Sequence, residues 1–497
     1  MKSFKDIVID KDKDQHLYIQ LYKEIKNMIL RGQLGEEDRL PPVRKMANLL
    51  AVNNITVVKA YEILEQEGLV YKKIGSGTFI SKEYIKDFID RRPSQLYKEI
   101  EYQTVTVGQS RVKIDENMIN FASGTPSAEL FPIDEFKEVL NEVLDRDKGF
   151  AFDYQEGKGY YPLRQILVEY IKHYGIYADA ENIQVISGAQ QGIDIISKAL
   201  LNYGDYVFVE SPSYTGAMAA FHSRGARMID IPLQQDGLDL KTLEKKIRLY
   251  HPKLIYLMPN FQNPTGISYS MEKKEGLLKL CKEEGVYIVE DDYLSELNFN
   301  DENNITLKAL DLHQQVIYVK SFSKIFMPGL RLGFLVIPSI FNENLLIAKH
   351  ATDISTSGLL QRAFELYLRR GIWQQHLLYM EGKYQERFKT MVKAIEKYLS
   401  KDVGVNIPSG GVNFWFKLPK GFSAIELHSR AETENIALAP GSLFFINNKD
   451  DGYFRLSIAS VNQSQIEAGI KRLSRIIDEY LDNQAPKRKE PIIKPIL

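Results

Sequence analysis

Apolar positions along the chain change period twice. Between residues 17 and 66 they recur every three or four positions, as a half-buried helix requires. Leu17, Leu21, Ile25, Met28 and Ile29 share one face of "LYIQLYKEIKNMILRGQL". Val57, Ala60, Tyr61 and Leu64 share one face of "NITVVKAYEILEQEG", which Asn53 or Asn54 caps and Gly68 ends. "VRKMANLLAV" reads as a shorter helix between them, and "LVYKKIGSGTFIS" as two strands around Gly75 and Gly77. Residues 82–115 are charged, interrupted by Pro93 and Gly108, and hold no sustained period, so they read as a long linker. From about 116 to 480 the period alternates between strand and helix. "NIQVIS", "YVFVE", "KLIYLMP", "VYIVEDD" and "VIYVKS" are the strand candidates, with amphipathic helices between them. That alternation predicts an α/β domain around a mainly parallel sheet. The flanks, residues 1–16 and 481–497, read as a polar arm and a proline-rich basic tail.

Composition narrows the picture. A chain of 497 residues is too long for one ordinary core. With 44% hydrophobic and 26% charged residues it fits a soluble globular protein. A net charge of −1 excludes a globally basic nucleic-acid binder but leaves room for a local basic patch. Residues 1–82 carry only a small cationic excess, so affinity for any polyanion there must come from local placement and dimerisation. The one cysteine, Cys281, cannot form an internal disulfide and reads as a small helix residue, pointing to a reducing cytoplasm. No apolar run reaches the length of a membrane span, and the N-terminus lacks the apolar segment of a signal peptide.

The candidate chemistry starts at "VKSFSKIFMPGLRLGF", residues 319–334, where Lys324 and Arg331 sit between buried strand residues. Two cations at the mouth of a buried sheet are costly unless an anion or a covalent partner meets them. A neighbouring cation and partial burial both depress a lysine's pKa, which a lysine forming a Schiff base needs. Arg331 is a fork suited to phosphate, and Ser321 and Ser323 add hydroxyl donors. The set suits an aldehyde that carries a phosphate. "SGAQQGIDIISKAL" opens a helix after a strand and reads as a phosphate cradle. "VYIVEDDYLSEL" ends a buried strand in Asp291 and Asp292, where one carboxylate can pair with a protonated pyridine nitrogen. "MPNFQNPTG" sets Asn263 in a fixed loop within reach of a ring oxygen, and "SPSYTGAM" supplies Tyr214 as a flat surface for the ring.

Two short helices joined by a brief turn, followed by a glycine-marked hairpin, place a helix in a major groove. On "DRLPPVRKMA", "NITVVKAYEILEQEG" and "GSGTF", the first eighty residues resemble the winged helix-turn-helix of the GntR superfamily. The resemblance implies contacts to double-stranded promoter DNA from Arg39, Arg44, the helix start at Asn54 and Thr56, and the wing at Gly77 and Thr78. Many relatives carry arginine where this chain has Asn54; an asparagine can read adenine but gives no charge-assisted phosphate contact.

Residues 116–480 resemble a fold-type I aminotransferase domain, on "SGAQQG", "SPSY", "NPTG", "EDDY", "SFSK", "PGLRLGF" and "FRLSIA" in that order. The resemblance implies a small C-terminal α+β subdomain from about 375 to 480 and pyridoxal 5'-phosphate on Lys324. It gives the phosphate to Arg331, Ser321, Ala189 and Gln190, and the pyridinium nitrogen to Asp291 rather than Asp292. Tyr293 and Asn263 would meet the ring oxygen, Tyr214 would stack, and Arg455 would clamp a substrate carboxylate. Tyr154 in "FDYQEGKGYYPLR" would reach the neighbouring subunit's phosphate, implying a head-to-tail homodimer. Together the two halves resemble MocR/GabR-type regulators. The expected role is then sensing of an amino-acid-like effector through an external aldimine, by a cytoplasmic bacterial protein located at the nucleoid when bound to DNA. A working aminotransferase with a DNA-binding domain is the rival expectation, since every group for half a transamination is present.

Overall fold

The computed structural model describes residues 4, 7, 16–30, 34, 38–66, 69–73, 77–81, 118–299, 304–449 and 452–484. The expected linker at 82–115, most of the arm and the tail beyond 484 lie outside the described residues. The chain separates into two compact units, Met1–Lys113 and Ile114–Leu497. No helix among the described residues is long and apolar enough to cross a membrane.

The first unit packs α1 (Leu17–Leu30), α2 (Val43–Leu50) and α3 (Asn54–Gln66) around a small core. The stripes expected to be buried supply it: Leu21, Ile25 and Ile29 from α1, and Val57, Ala60, Tyr61 and Leu64 from α3. Phe4 and Ile7, in the stretch expected to be a loose arm, also pack on it. Between the two candidate caps the geometry chooses Asn53, whose Oδ1 accepts from the Ile55 amide at 3.1 Å. Asn54 therefore opens α3. The Tyr61 hydroxyl donates to the Pro41 carbonyl at 2.8 Å, tying α3 to the entry of α2. β1 (Val70–Lys73) and β2 (Gly77–Ile80) form the antiparallel hairpin, with Val70 opposite Ile80. Residues 38–40 join its free edge, the Leu40 amide donating to Thr78 at 2.9 Å and the Ile80 amide to Asp38 at 3.0 Å. The hairpin turn with Gly75 lies outside the described residues.

In the second unit β3 (Ile119–Asn120) precedes the strands of the main sheet. These are β4 (Ile183–Ile186), β5 (Tyr206–Ser211), β6 (Arg227–Gln234), β7 (Gly237–Leu238), β8 (Leu254–Leu257), β9 (Tyr287–Asp292), β10 (Val316–Ser321) and β11 (Gly333–Val336). Their order among the described residues is β4-β11-β10-β9-β8-β5-β6-β7. The run from β10 through β9, β8 and β5 to β6 is parallel, while β11 is antiparallel to both neighbours. Strand periodicity sends alternate side chains to two separate cores. Val207, Tyr256, Val289 and Ile317 join one, while Phe208, Ile255, Ile288 and Val316 join the other.

The C-terminal part adds β12 (Gly404–Asn406), β13 (Asn413–Lys417), β14 (Ile436–Ala437), β15 (Ala439–Pro440) and β16 (Tyr453–Ser457). Four of them make an antiparallel sheet, ordered β12-β13-β16-β15. The long helices Ile372–Tyr398 and Gln463–Gln484 flank it in sequence. β3 pairs in parallel with β14, and the Ser457 amide donates to the Phe121 carbonyl at 2.8 Å. β3 and the residue that follows it thus pair with the C-terminal part of the chain, far away in sequence.

Beneath the site lies a buried ionic network. Lys320 on β10 bonds Glu296 at 2.7 Å and Asp292 at 3.2 Å, with all three side chains almost wholly buried. Tyr170 donates to Glu296 and Tyr318 to Asp292, each at 2.5 Å. Removing one partner of such a group leaves another buried charge short of compensation. Glu296→Ala should therefore destabilise the second unit by about 3–5 kcal/mol. Both tryptophans, Trp373 and Trp415, belong to this unit, so fluorescence-monitored urea unfolding reads it selectively. An unchanged midpoint would show that the network contributes nothing to stability.

Candidate functional site

Lys324 sits in the turn that leaves β10. Phe322, Ile325 and Phe326 are buried beside it, and the two phenylalanine rings pack with Phe364 and Trp373 at centroid distances of 4.7–5.7 Å. The Ile325 carbonyl faces His376 Nε2 at 2.8 Å. With its neighbours anchored inward, Lys324 projects from a fixed turn, and its Nζ stands 3.7 Å from where a side chain would begin on Gly124. Burial, then the Arg455 and Arg331 cations, push its pKa down to about 8, with Asp291 opposing. The shift enlarges the neutral fraction of the amine relative to a solvated lysine.

The helix Ala189–Leu200 begins after β4 at Gly188, whose φ of 84° a side chain would strain. A Cβ at Gly188 would also stand 2.5 Å from Arg331 Nη2, so its absence lets the guanidinium lie against the helix mouth. There Arg331 Nη2 donates to the Ser187 carbonyl at 2.8 Å. First-turn amides such as those of Ala189 and Gln190 have no carbonyl within their own helix, and the helix dipole favours an anion there. Gln190 Nε2 donates to the Gly216 carbonyl at 2.8 Å, and the Tyr214 hydroxyl approaches Gln190 Oε1 at 3.4 Å. Burial raises the pKa of Tyr214, Asp291 adding to the shift and Arg331 and Arg455 opposing it, so the phenol lies among those three charges. Ser321 ends β10, buried, with its Oγ accepting from the Ser323 amide at 3.3 Å.

The adjacent acids of β9 face opposite sides of the sheet. Asp292 is absorbed by the network around Lys320, and its Oδ1 accepts from the Ser295 amide at 3.0 Å. Asp291 faces the other way. Its Oδ2 accepts from Tyr256 at 2.6 Å, while its buried Oδ1 has no hydrogen-bond partner. Burial raises its pKa to about 6, with the Tyr256 hydrogen bond opposing. A buried carboxylate oxygen without a donor fits a protonated ring nitrogen.

Arg455 on β16 is buried and stacks over Phe444, 5.1 Å from the ring centre. Its Nη1 donates to Asn263 Oδ1 at 2.7 Å and its Nη2 to the Ala122 carbonyl, whereas its Nε has no partner. Burial pulls its pKa down to about 10. Asn263, expected to serve a ring oxygen, here accepts from this guanidinium; its amide nitrogen is the donor that could serve such an oxygen. The Tyr293 hydroxyl donates to the Phe261 carbonyl at 2.5 Å and accepts from Asn413 Nδ2 at 3.1 Å. Sequence reading missed the support beneath this loop. Glu210, buried on β5, accepts from Gln262 Nε2 at 3.0 Å, Tyr269 at 2.7 Å and the Met258 amide at 3.2 Å. Gln262 Oε1 accepts from Thr265, locking the turn that carries Asn263. Tyr256 was missed as well, and the only local hint was its polar hydroxyl on an otherwise apolar strand.

Tyr154 is 74% exposed among Phe150, Phe152 and Tyr161, which are also exposed. It takes no part in the site of its own chain. In the first unit Arg44 and Asn54 are exposed, Thr56 is half-buried in the first turn of α3, and Thr78 pairs within the hairpin. Gly77, at a φ of 117°, admits the exposed Arg39, whose Nε would stand 2.8 Å from a Cβ there. Arg39 also lies over Phe79, 6.0 Å from the ring centre.

A mainly parallel sheet with a lysine, a buried carboxylate and a helix-mouth arginine at its strand ends defines a fold-type I aminotransferase-like domain, here in one chain with a winged helix-turn-helix. The chain belongs to the class I and II aminotransferase family, whose model matches residues 116–473, and residues 17–80 match the gntR family of bacterial regulatory proteins. It is a GntR/MocR-type regulator in architecture. It is 31% identical to the uncharacterized HTH-type transcriptional regulator YdfD of Bacillus subtilis, over 93% of this chain and 96% of that one. It is 28% identical to the probable rhizopine catabolism regulatory protein MocR of Rhizobium meliloti, over 94% of this chain and 95% of that one. Among solved structures it resembles the α-aminoadipate aminotransferase LysN of Thermus thermophilus in complex with N-(5'-phosphopyridoxyl)-L-leucine. The TM-score is 0.71 at 35% identity, covering 75% of this chain and 95% of LysN.

The closeness of Gly188 and Arg331 gives a test. Gly188→Ala adds a Cβ where the guanidinium lies and forces a non-glycine residue to positive φ. Affinity for added pyridoxal phosphate should fall by about tenfold or more, because the added Cβ displaces the guanidinium and a hydrogen bond to a charged group contributes ~1.5–3 kcal/mol. Unchanged affinity, measured by fluorescence quenching, would detach this contact from phosphate binding.

Proposed function

We propose that the chain is a pyridoxal-phosphate-dependent transcriptional regulator that senses an amino compound. The reading rests on one observation: Lys324, the unpartnered Asp291 Oδ1 and the Arg331–helix mouth meet in a chain that also carries a GntR helix-turn-helix. Lys324 would hold the cofactor, and Arg331, Ser321 and the amides of Ala189 and Gln190 its phosphate. Asp291 would meet the ring nitrogen, Tyr293 and Asn263 the ring oxygen, and Tyr214 a ring face. When bound, pyridoxal phosphate supplies an electrophilic carbon for an amine and an electron-withdrawing ring. Arg455 would bind an effector carboxylate, its buried fork being matched to that anion. Tyr154, exposed on its own chain, would act across a head-to-tail homodimer.

A ligand changes promoter occupancy only by its differential affinity for two arrangements of the dimer. The rival reading, a working aminotransferase, is favoured by the completeness of the same residues and by the fixed Asn263–Arg455 pair.

Two experiments separate the alternatives. Borohydride reduction of the cofactor-loaded protein should leave a pyridoxyl mass on the Lys324 peptide, and Lys324→Ala should lose it. Loading rate should rise with pH, reach half its plateau near pH 8 and level off above it, because the protonated amine does not react. A mass on another lysine would sink the assignment. Arg455→Ala should keep the cofactor yet lose the spectral response to carboxylate-bearing amines, and with it their effect on promoter occupancy. Losing such a buried pairing costs about 2–5 kcal/mol. Brisk multiple turnover with occupancy indifferent to the amine would replace the regulator reading with the enzyme one.

A further inference from the structure

The outward face of α3 is unusual for a surface helix. Ile55 is 63% exposed and Val58 39% exposed, one turn apart, and Leu49 at the end of α2 is 39% exposed. The core does not need them, since the opposite stripe of Val57, Ala60, Tyr61 and Leu64 already fills it. A monomeric surface carries isolated apolar residues freely, but here two share the N-terminal turns of the helix next to Asn54. Exposed Arg44 and Lys45 on α2 supply cations in the same helix pair, while Lys59 on α3 lies over the Tyr18 ring at 5.4 Å and the exposed Glu62 follows Val58 by one turn. That combination complements a duplex: a polyanionic backbone around base edges whose apolar groups are thymine methyls.

We propose that Ile55 and Val58 read thymine C5-methyl groups in the major groove while Asn54 reads an adjacent adenine. The half-site centre is then built from A·T pairs. This inference rests on the DNA-binding reading of the first unit and adds its base preference. The cap geometry supports it. Asn53 turns its side chain inward to the Ile55 amide at 3.1 Å, so the cap is spent on the helix and Asn54 is left exposed at its first position. An arginine at that position would favour phosphate or guanine; an asparagine followed by isoleucine favours adenine and thymine.

The experiment uses full-length protein and duplexes recovered from a randomised pool by selection for binding. Each thymine of a recovered duplex is replaced in turn by deoxyuridine, which removes the methyl and keeps the base pair. One or two positions should lose about fourfold in affinity, the value of one buried methyl-sized group. At those positions Ile55→Ala or Val58→Ala should bind the two duplexes equally, and Ile55→Val should restore part of the difference. Both residues are exposed, so the variants leave the core intact, and an unchanged methyl dependence at another thymine confirms a folded reader. Equal binding of thymine and uracil duplexes at every position by the wild type would overturn the proposal. So would a methyl dependence that survives both alanine variants, as it would if this face were covered by protein. Failure to enrich any duplex would instead remove the DNA-binding reading beneath it.

Discussion

Charge balance around Lys324 is the constraint on which the large unit depends. Two guanidiniums, Arg331 and Arg455, act on the lysine from different elements, and one carboxylate, Asp291, opposes them. Concentrating cations in a partly buried cleft is unfavourable, and the surrounding fold has to hold them there. It does so with neutral dipoles. Arg331 donates to the Ser187 carbonyl, and Arg455 to the Ala122 carbonyl and to Asn263 Oδ1, so amide oxygens rather than paired carboxylates meet the two forks. A carboxylate partner would have neutralised the arginines and freed the lysine to hold its proton. Neutral partners leave the positive field intact, so it adds to burial in depressing the lysine and keeps both forks able to bind anions.

The same logic explains why two adjacent acids are not equivalent. Strand periodicity sends Asp291 and Asp292 to opposite faces of β9. Asp292 joins Lys320 and Glu296 in a closed network whose role is to bury charge without leaving it unpaired. Asp291 receives one hydroxyl, keeps one oxygen unpartnered, and has its pKa raised. One carboxylate is thus committed to the scaffold, and its neighbour keeps one buried acceptor oxygen unpartnered. Glu210 plays a third part: saturated by three donors, it fixes the Gln262 turn, and through it the Asn263–Arg455 contact.

Much of this was legible in the sequence because local period carries it. The helix stripes of the first unit and the strand runs at β4, β5, β8, β9 and β10 follow from residue order alone. Lys324 and Arg331 stood out because cations interrupt an apolar run. Other features depend on partners far away in the chain. The pairing of β3 with β14 joins residues some three hundred positions apart, and no local pattern announces it. Glu210 reads as an ordinary strand end until the fold places Gln262 and Tyr269 against it. Asn263 reads from the sequence as a polar group in a loop, but its contact with Arg455 needs the C-terminal sheet in place.

The modest charge of the first unit bears on how the two halves could communicate. A reader that neutralises few phosphates gains little from non-specific binding, and its affinity falls less steeply with salt. More of its binding free energy must then come from base contacts and from engaging two half-sites at once. Base contacts tolerate little displacement, because a hydrogen-bonded or methyl contact is lost within an ångström or so, whereas a screened phosphate contact fades over roughly a Debye length of about 8 Å. A dimer built this way is sensitive to small changes in the separation of its two readers. Paired engagement also makes the second contact effectively intramolecular, so misplacing one reader forfeits the gain from both. A low-charge reader with base-reading side chains is therefore well suited to control by a ligand whose own differential affinity is only a few kcal/mol.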